Sequence, residues 1–125
     1  MITHIHHRLR RHTISFHHAI EGVVWALKTQ PNYQIHLLLS VLSVLAGLYF
    51  GIKKFEWLML MLTIGGGLVI ETINSAIEQT LDCVSLEHRD DIKIAKDASA
   101  AAMLIYACTA AIIGLSIFIP YIFPL

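Results

Sequence analysis

The sequence predicts an all-α membrane protein in which one amphipathic surface helix precedes three transmembrane helices. Its composition is 56% hydrophobic and 14% charged, whereas about a quarter of the residues in an ordinary soluble domain are charged. The chain also contains three apolar stretches close to the length of about 20 residues that a helix needs to cross a bilayer. At 125 residues, it is expected to form a single domain over residues 1–125.

The first predicted element is a helix over residues 14–30 that lies on the membrane surface. Its apolar residues recur at helical spacing and would share one face. They are Phe16, Ile20, Val23, Val24 and Leu27. Trp25 suits the interface between lipid headgroups and water, and Pro31 ends the segment. The alternative is a core helix of a soluble domain, but nothing soluble remains in the chain for such a helix to pack on.

The three predicted spans cover residues 35–52, 55–80 and 98–123. The first and third are apolar on all sides, which helices of a soluble bundle would not be. The second contains the run Gly65–Gly67. This run lacks the Lys-Ser/Thr pair of a phosphate-binding loop, and it favours the close approach of another helix.

The basic residues predict how the chain is oriented. Three spans place the N-terminal segment on the same side as the loop that follows the second span. That side has seven Lys and Arg residues, whereas the turn between the first two spans has two, so it is expected to be cytoplasmic. No cleavable signal segment is expected, because no apolar core follows the basic residues 1–12. Cys83 and Cys108 are expected to be free thiols, one near the membrane surface and one inside a span.

The second span ends in a stripe of polar residues. At about 100° per residue, Glu71, Asn74, Glu78 and Asp82 fall within roughly 80° of one another. A carboxylate at membrane depth is unfavourable by about 2.5–3.5 kcal/mol, so three of them beside an amide indicate a site. Mg²⁺ prefers oxygen ligands together with substrate phosphates, and another carboxylate could act as a general base on an alcohol. The stripe therefore predicts a site for a cation and a phosphate.

Two other interpretations of the stripe remain open at this point. The carboxylates could hydrogen-bond to neighbouring helices without a catalytic role. They could also line the ion path of a small proton- or cation-coupled transporter subunit, although a transport site is usually expected nearer the bilayer midplane.

Other polar residues are secondary candidates. Lys96 and Asp97 precede the third span, where a lysine could offset charge on transferring phosphates. Histidines crowd the N-terminus at irregular spacing, and we interpret them as interfacial polar residues rather than as a Zn or Ni site. They are His4, His6, His7, His12, His17 and His18. No basic patch for nucleic acid is present.

The stripe is part of a longer pattern that resembles a known family. The string VIETINSAIEQTLDCVS, followed by KIAKDASAAAMLI, is similar to the bacterial diacylglycerol kinase/undecaprenol kinase family of small membrane kinases. The turn IKKFEW and the ending IFIP are more similar to the undecaprenol kinase branch. The resemblance implies a homotrimer with active sites shared between subunits, which uses ATP and Mg²⁺ to phosphorylate a membrane lipid alcohol. It also implies the bacterial inner (plasma) membrane, with the active site on the cytoplasmic side.

The resemblance implies roles for individual residues. Glu71 matches the catalytic base, and Glu78 and Gln30 occupy the positions of Mg²⁺ ligands. The nucleotide-binding positions are Arg11, His18, Gln30, Asn74, Glu78, Asp82, Glu87, His88, Arg89, Lys96 and Asp97. The lipid acceptor is expected near Glu71, Asn32 and Trp25.

Three positions depart from the family pattern. Gln30 stands where a second Mg²⁺-binding Glu is usual, His18 where a Tyr is common, and Arg89 where a His is common. An amide oxygen can ligate Mg²⁺, but it lacks the negative charge of a carboxylate. The metal would then bind more weakly or rely on Glu78 and the ATP oxygens, or the chain would be a catalytically silenced member of the family.

Overall fold

A computed structural model of the chain describes residues 2–84 and 89–124, with side chains for residues 16–84 and 89–124. Its regular secondary structure in this part of the chain consists of four helices. They are α1 (Ile2–Thr29), α2 (Pro31–Phe50), α3 (Lys54–Val84) and α4 (Asp90–Ile122). The last three are long and apolar enough to cross a membrane, which confirms the predicted all-α architecture with three spans.

The first helix begins earlier than predicted. It starts at Ile2 rather than near residue 14, because residues 2–13 contain neither Pro nor Gly to end a helix. It stops at Thr29 as expected. Gln30 then adopts an extended backbone with φ −105° and ψ 104°, and Pro31 opens α2. The residue before a proline is restricted to this conformation, so a single residue separates the two helices.

The first helix packs on the bundle by one side only. It contacts both α2 and α3, and Ala26 is completely buried. The predicted apolar face is uncovered, with Phe16 70% and Ile20 49% exposed. A helix that packs by one side and offers an apolar face outward is suited to the membrane interface.

The turn between α2 and α3 depends on two glycines. Gly51 adopts a left-handed conformation (φ 63°) as its N–H bonds to the carbonyl of Gly47, and glycine does so without strain. A Cβ at Gly47 would lie 2.9 Å from the ring of Trp57, so α2 and α3 approach closely here. A core of buried apolar residues forms at this end of the bundle. It consists of Ile52, Leu60 and Ile117.

The carboxylate of Glu56 forms two hydrogen bonds at the same end of the bundle. Glu56 Oε2 accepts a 2.6 Å hydrogen bond from the hydroxyl of Tyr121 and another of 2.6 Å from the backbone N–H of Lys53. The bond with Tyr121 joins the beginning of α3 to the end of α4, and the bond with Lys53 caps the first turn of α3. Carboxylate hydrogen bonds of this kind are stronger than those between neutral groups.

The middle of α3 packs closely against α4. A Cβ at Gly66 would lie 2.6 Å from the hydroxyl of Tyr106, and one at Gly67 would lie 3.0 Å from its ring. The Tyr106 hydroxyl donates to the carbonyl of Thr63. The predicted close approach is thus confirmed for Gly66 and Gly67, whereas Gly65 faces open space.

Candidate active site

The candidate site lies where the end of α3 meets the beginning of α4. Lys96 Nζ on α4 is 2.5 Å from Asp82 Oδ1 on α3. Deeper in the bundle, Ser99 Oγ is 2.6 Å from Asn74 Oδ1. The polar stripe of α3 therefore forms one wall of the site, and the first turns of α4 form the facing wall.

A chain of hydrogen bonds connects the two walls. The hydroxyl of Ser99 donates to Oδ1 of Asn74, and Nδ2 of Asn74 donates to Oε1 of Glu78 over 3.3 Å. Asn74 and Ser99 are both buried. Because Ser99 occupies the oxygen of the amide, the NH₂ group is left to face the carboxylate. The carboxylate of Glu78 is thereby positioned from the neighbouring helix.

Glu71 lies one helical turn deeper than Asn74. It is only 1% exposed, and its Oε2 has no hydrogen-bond partner among the described residues. The same holds for the hydroxyl of Ser75, four residues further along α3 and 2% exposed. Buried polar atoms in proteins are almost always paired, and in a bilayer no water replaces the missing partner. Glu71 and Ser75 thus place two polar atoms without a partner among the described residues one helical turn apart on α3.

Most other hydroxyl groups in the spans bond to their own helix. Ser40, Thr63, Thr72, Thr80, Thr109 and Ser116 each donate to the carbonyl four residues earlier, over 2.7–3.0 Å. This is the usual way to satisfy such a group within a helix. Ser75 and Ser99 depart from it, and both lie next to the carboxylates. Our sequence reasoning missed them, although Ser75 follows Glu71 by four residues and Ser99 follows Lys96 by three.

Comparison with known proteins identifies the family. Residues 17–118 match the prokaryotic diacylglycerol kinase family. The chain belongs to that family. It is 37% identical to the undecaprenol kinase of Bacillus subtilis over 90% of this chain and 91% of that protein. It is 32% identical to a diacylglycerol kinase of Synechocystis (86% of this chain, 62% of that protein) and 28% identical to one of Pseudomonas aeruginosa (70% and 72%).

Family membership confirms the resemblance seen in the sequence. The protein is a lipid kinase of the diacylglycerol/undecaprenol kinase type. It argues against the transporter interpretation, whereas the catalytic role of the polar stripe stays a prediction. The remaining predicted site residues of this lipid kinase lie at the beginning of α4, on α1, at the junction between α1 and α2, or outside the described side chains.

Two candidates at the beginning of α4 pair with neighbours in the sequence. Asp97 Oδ2 lies 2.6 Å from Lys93 Nζ, and Arg89 lies 2.8 Å from the carboxylate of Asp91. All four side chains are more than half exposed. The structure thus brings Lys96 to the polar stripe of the kinase, but it directs Asp97 and Arg89 towards their own helix.

His18 of the kinase is also engaged locally. Its Nδ1 lies 2.9 Å from Glu21 Oε2, and His17 Nε2 lies 3.2 Å from Glu21 Oε1. The hydrogen bond with His18, together with the charge on His17, holds the pKa of the Glu21 carboxyl below its usual value. These three side chains lie on the exposed side of α1. No group of three metal-ligating side chains occurs among the described residues, and the interpretation of the N-terminal histidines stays a prediction.

Gln30 and Asn32 lie at the junction between α1 and α2. The half-buried Gln30 side chain donates to Thr29 Oγ1 over 3.4 Å, and Asn32 is exposed in the first turn of α2. Trp25, one turn before the junction, is 36% exposed. Within residues 16–84 and 89–124, no hydrogen bond joins Gln30 to Glu78.

Three predicted nucleotide-binding residues fall outside the described side chains. Arg11 lies within α1, but its side chain is not among those described. Glu87 and His88 belong to the connection between α3 and α4, outside the described residues. Their roles stay predictions. Cys83 and Cys108 are both free, as predicted.

Proposed function

We propose that this lipid kinase transfers the γ-phosphate of ATP to the hydroxyl group of undecaprenol. The observation that carries the proposal is the buried Oε2 of Glu71, which has no partner among the described residues and lies beside the Ser99–Asn74–Glu78 chain. A hydroxyl group that enters the site can donate to this oxygen. A carboxylate within hydrogen-bond reach of an alcohol has the geometry that a general base requires.

In the proposed reaction, Glu71 accepts the hydroxyl proton as the lipid oxygen forms a bond to the γ-phosphorus. The bond from that phosphorus to the bridging oxygen breaks, and its electron pair leaves with ADP. Lys96 offsets negative charge on the phosphates, and Asp82 holds it at the site before nucleotide binds. Asn74 fixes the position of Glu78. Positioning and electrostatics of this kind provide most of the catalysis in phosphoryl transfer.

The residues of the site fit a Mg²⁺ ion that arrives with the nucleotide. Mg²⁺ is usually bound by one or two carboxylates together with substrate phosphates. Glu78 supplies one carboxylate, which Asn74 orients, and Gln30 would add an amide oxygen if α1 carries it to the nucleotide. The chemistry that the bound ion supplies is neutralisation of charge on the phosphate oxygens.

Undecaprenol is our first choice of acceptor and diacylglycerol our second. The match to the protein named undecaprenol kinase is 37% identical and covers 91% of that protein. The matches to the proteins named diacylglycerol kinase are 32% and 28% identical and cover smaller shares of both partners. The difference favours the single-chain alcohol.

The proposal extends to assembly and location. We infer a homotrimer in the bacterial plasma membrane, with its N-terminus and active site on the cytoplasmic side. Large apolar side chains are exposed on each span of the single chain, such as Leu48 (65%), Leu62 (64%) and Ile105 (69%). Lipid and neighbouring subunits together would cover them, and the distribution of Lys and Arg supports the orientation.

The test is ATP-dependent phosphorylation by the purified protein in detergent, with undecaprenol and diacylglycerol in parallel across a Mg²⁺ titration. We expect a phosphorylated undecaprenol product and no ADP release without lipid. Turnover of diacylglycerol alone would contradict the acceptor. If a well-formed trimer turns over neither lipid, activity restored by Gln30→Glu would show that the site is silenced, and continued inactivity would point to a different alcohol.

A further inference from the structure

A long groove lies between α2, α3 and α4 of the single chain. It has a volume of about 310 Å³. Its α3 wall is formed by Leu60, Thr63, Ile64, Gly67 and Leu68. Glu71 follows Gly67 by four residues, so it lies on the same face of α3, one turn beyond the end of the groove. One end of the groove therefore lies about one helical turn from the proposed catalytic base.

The groove follows the helix axes. Its α4 wall extends from Tyr106 to Phe118 and its α3 wall from Leu60 to Leu68. At 1.5 Å per residue, these walls are about 18 Å and 12 Å long. Small residues line most of the α4 wall, namely Ala107, Ala110, Ala111 and Gly114. Its shape is that of a channel for an extended chain inside the membrane.

The volume fits part of one hydrocarbon chain. An apolar cavity of about 150 Å³ accepts a benzene molecule, so the groove of about 310 Å³ holds on the order of a dozen carbon atoms by the same measure. Spread along the length of the groove, this is one chain and not two chains side by side. An isoprenoid alcohol presents one chain, whereas diacylglycerol presents two.

Tyr106 limits the groove at the end nearest Glu71. Its ring lies against the backbone of Gly66 and Gly67, where side chains would collide with it. Its hydroxyl donates to the carbonyl of Thr63. The ring is thus fixed from two directions, and a chain that starts at Glu71 must pass it.

We propose that this groove binds the hydrocarbon chain of the lipid alcohol as a single chain, and that Tyr106 restricts it to one chain. The inference rests on the proposed function, because the acceptor hydroxyl then lies at Glu71 and its chain extends past Tyr106 into the groove. A second copy of the protein is a less suitable occupant. A helix is about 10 Å across with its side chains, which is wider than a channel for one chain.

The first test fills the groove with a bulky side chain. Ala110→Phe places a ring in it, and Ala101→Phe makes the same change on an exposed part of α4 outside it. We expect Ala110→Phe to raise the KM for undecaprenol by about tenfold or more, without changing the KM for ATP or the turnover of prenol, the single-isoprene alcohol. Ala101→Phe should match the unmodified protein. An unchanged KM for undecaprenol in Ala110→Phe would overturn the assignment.

A second test addresses the role of Tyr106. Tyr106→Ala removes the ring, whereas Tyr106→Phe keeps it and removes only the hydroxyl. We expect Tyr106→Ala to raise the ratio of kcat/KM for diacylglycerol to that for undecaprenol by about tenfold, and Tyr106→Phe to leave the ratio near its original value. An equal ratio in all three proteins would overturn the selective role.

A binding experiment separates the groove from the kinase reaction. An undecaprenol analogue with a photoreactive diazirine in its chain is added without ATP, and the labelled residues are mapped by mass spectrometry. Labels on the α4 wall, lost in Ala110→Phe and kept in Ala101→Phe, support the groove even if the unmodified protein turns over no lipid, a result that would overturn only the proposed function. Labels confined to exposed residues such as Ile105 and Ile112 would overturn the groove. Cross-links from an Ala110→Cys variant to a second copy would also overturn it.

Discussion

The hydroxyl of Ser99 lies 2.6 Å from the side-chain oxygen of Asn74, although the two residues belong to different helices and are 25 positions apart. This bond decides which end of the amide faces Glu78. Ser99, an uncharged residue of α4, thereby orients Glu78 of α3, which we propose as the Mg²⁺ ligand. Groups that orient metal ligands commonly affect metal affinity as much as tenfold or more when they are removed.

Ser99→Ala should therefore weaken the use of Mg²⁺. Without the donor, the amide of Asn74 is no longer anchored to α4 and can turn away from Glu78, so we expect the Mg²⁺ concentration at half-maximal turnover to rise by about tenfold. The matched control is Ser116→Ala on the same helix, because that hydroxyl bonds to its own backbone at Ile112. The midpoint is measured by titrating Mg²⁺ at saturating concentrations of ATP and lipid. Equal midpoints in the two variants would contradict the positioning role.

Glu71→Gln should nearly abolish turnover. The amide cannot accept the hydroxyl proton, and general-base catalysis typically contributes about 10²–10⁴-fold. Glu56→Gln makes the same change at the other end of α3, where the carboxylate bonds to Tyr121. This control should keep its turnover and unfold at a lower temperature. Rates are measured with radiolabelled ATP on protein whose trimer is verified by size, and retained turnover in Glu71→Gln would remove the base assignment.

Lys96→Met should raise the KM for ATP by about tenfold or more. The change removes the cation next to Asp82 and leaves that carboxylate to repel the phosphates. Lys54→Met, an exposed lysine at the other end of the bundle, is the control and should leave the KM unchanged. The two KM values are compared at fixed Mg²⁺ and lipid. A normal KM in Lys96→Met would exclude a phosphate-binding role.

Gly66→Ala should destabilise the protein, whereas Gly65→Ala should not. A Cβ at Gly66 collides with the hydroxyl of Tyr106, and one at Gly65 meets nothing within 4 Å. Overpacking of this kind typically costs about 1–3 kcal/mol, so thermal unfolding in detergent should show a clearly lower transition for Gly66→Ala alone. In the background of Tyr106→Ala, Gly66→Ala should lose most of its effect. Equal stability of the two glycine variants would show that the helices separate easily at this level.

The sequence was sufficient for the spans and for one wall of the site. The helical period of α3 placed Glu71, Asn74, Glu78 and Asp82 on one face, because that relationship is local. The facing wall was not predictable from the period of one helix, since the Ser99–Asn74 contact depends on the axial register between α3 and α4. The start of α1 was misplaced because its first residues lack an apolar pattern but also lack a helix breaker.

The contact between Tyr106 and the glycines of α3 was likewise not predictable from the pattern of a single helix. A tyrosine in an apolar span and three glycines in another were both visible in the sequence, and close approach at the glycines was expected. The sequence did not predict which of the glycines would face the ring of Tyr106. Gly65 and Gly66 are neighbours in the chain but point about 100° apart on the helix, so only the rotation of α3 in the bundle distinguishes them.

The Glu71 oxygen that lacks a partner within the described part of the chain also bears on how long the protein survives in the cell. A buried polar atom without a partner lowers stability by about 1–3 kcal/mol, and a bound ligand that supplies the partner adds its own binding free energy to the folded state. The ligand-free enzyme is then less stable than the enzyme with bound ligand. Where acceptor lipid is scarce, we expect quality-control proteases to remove the protein faster, so that enzyme abundance follows substrate supply without any dedicated regulator.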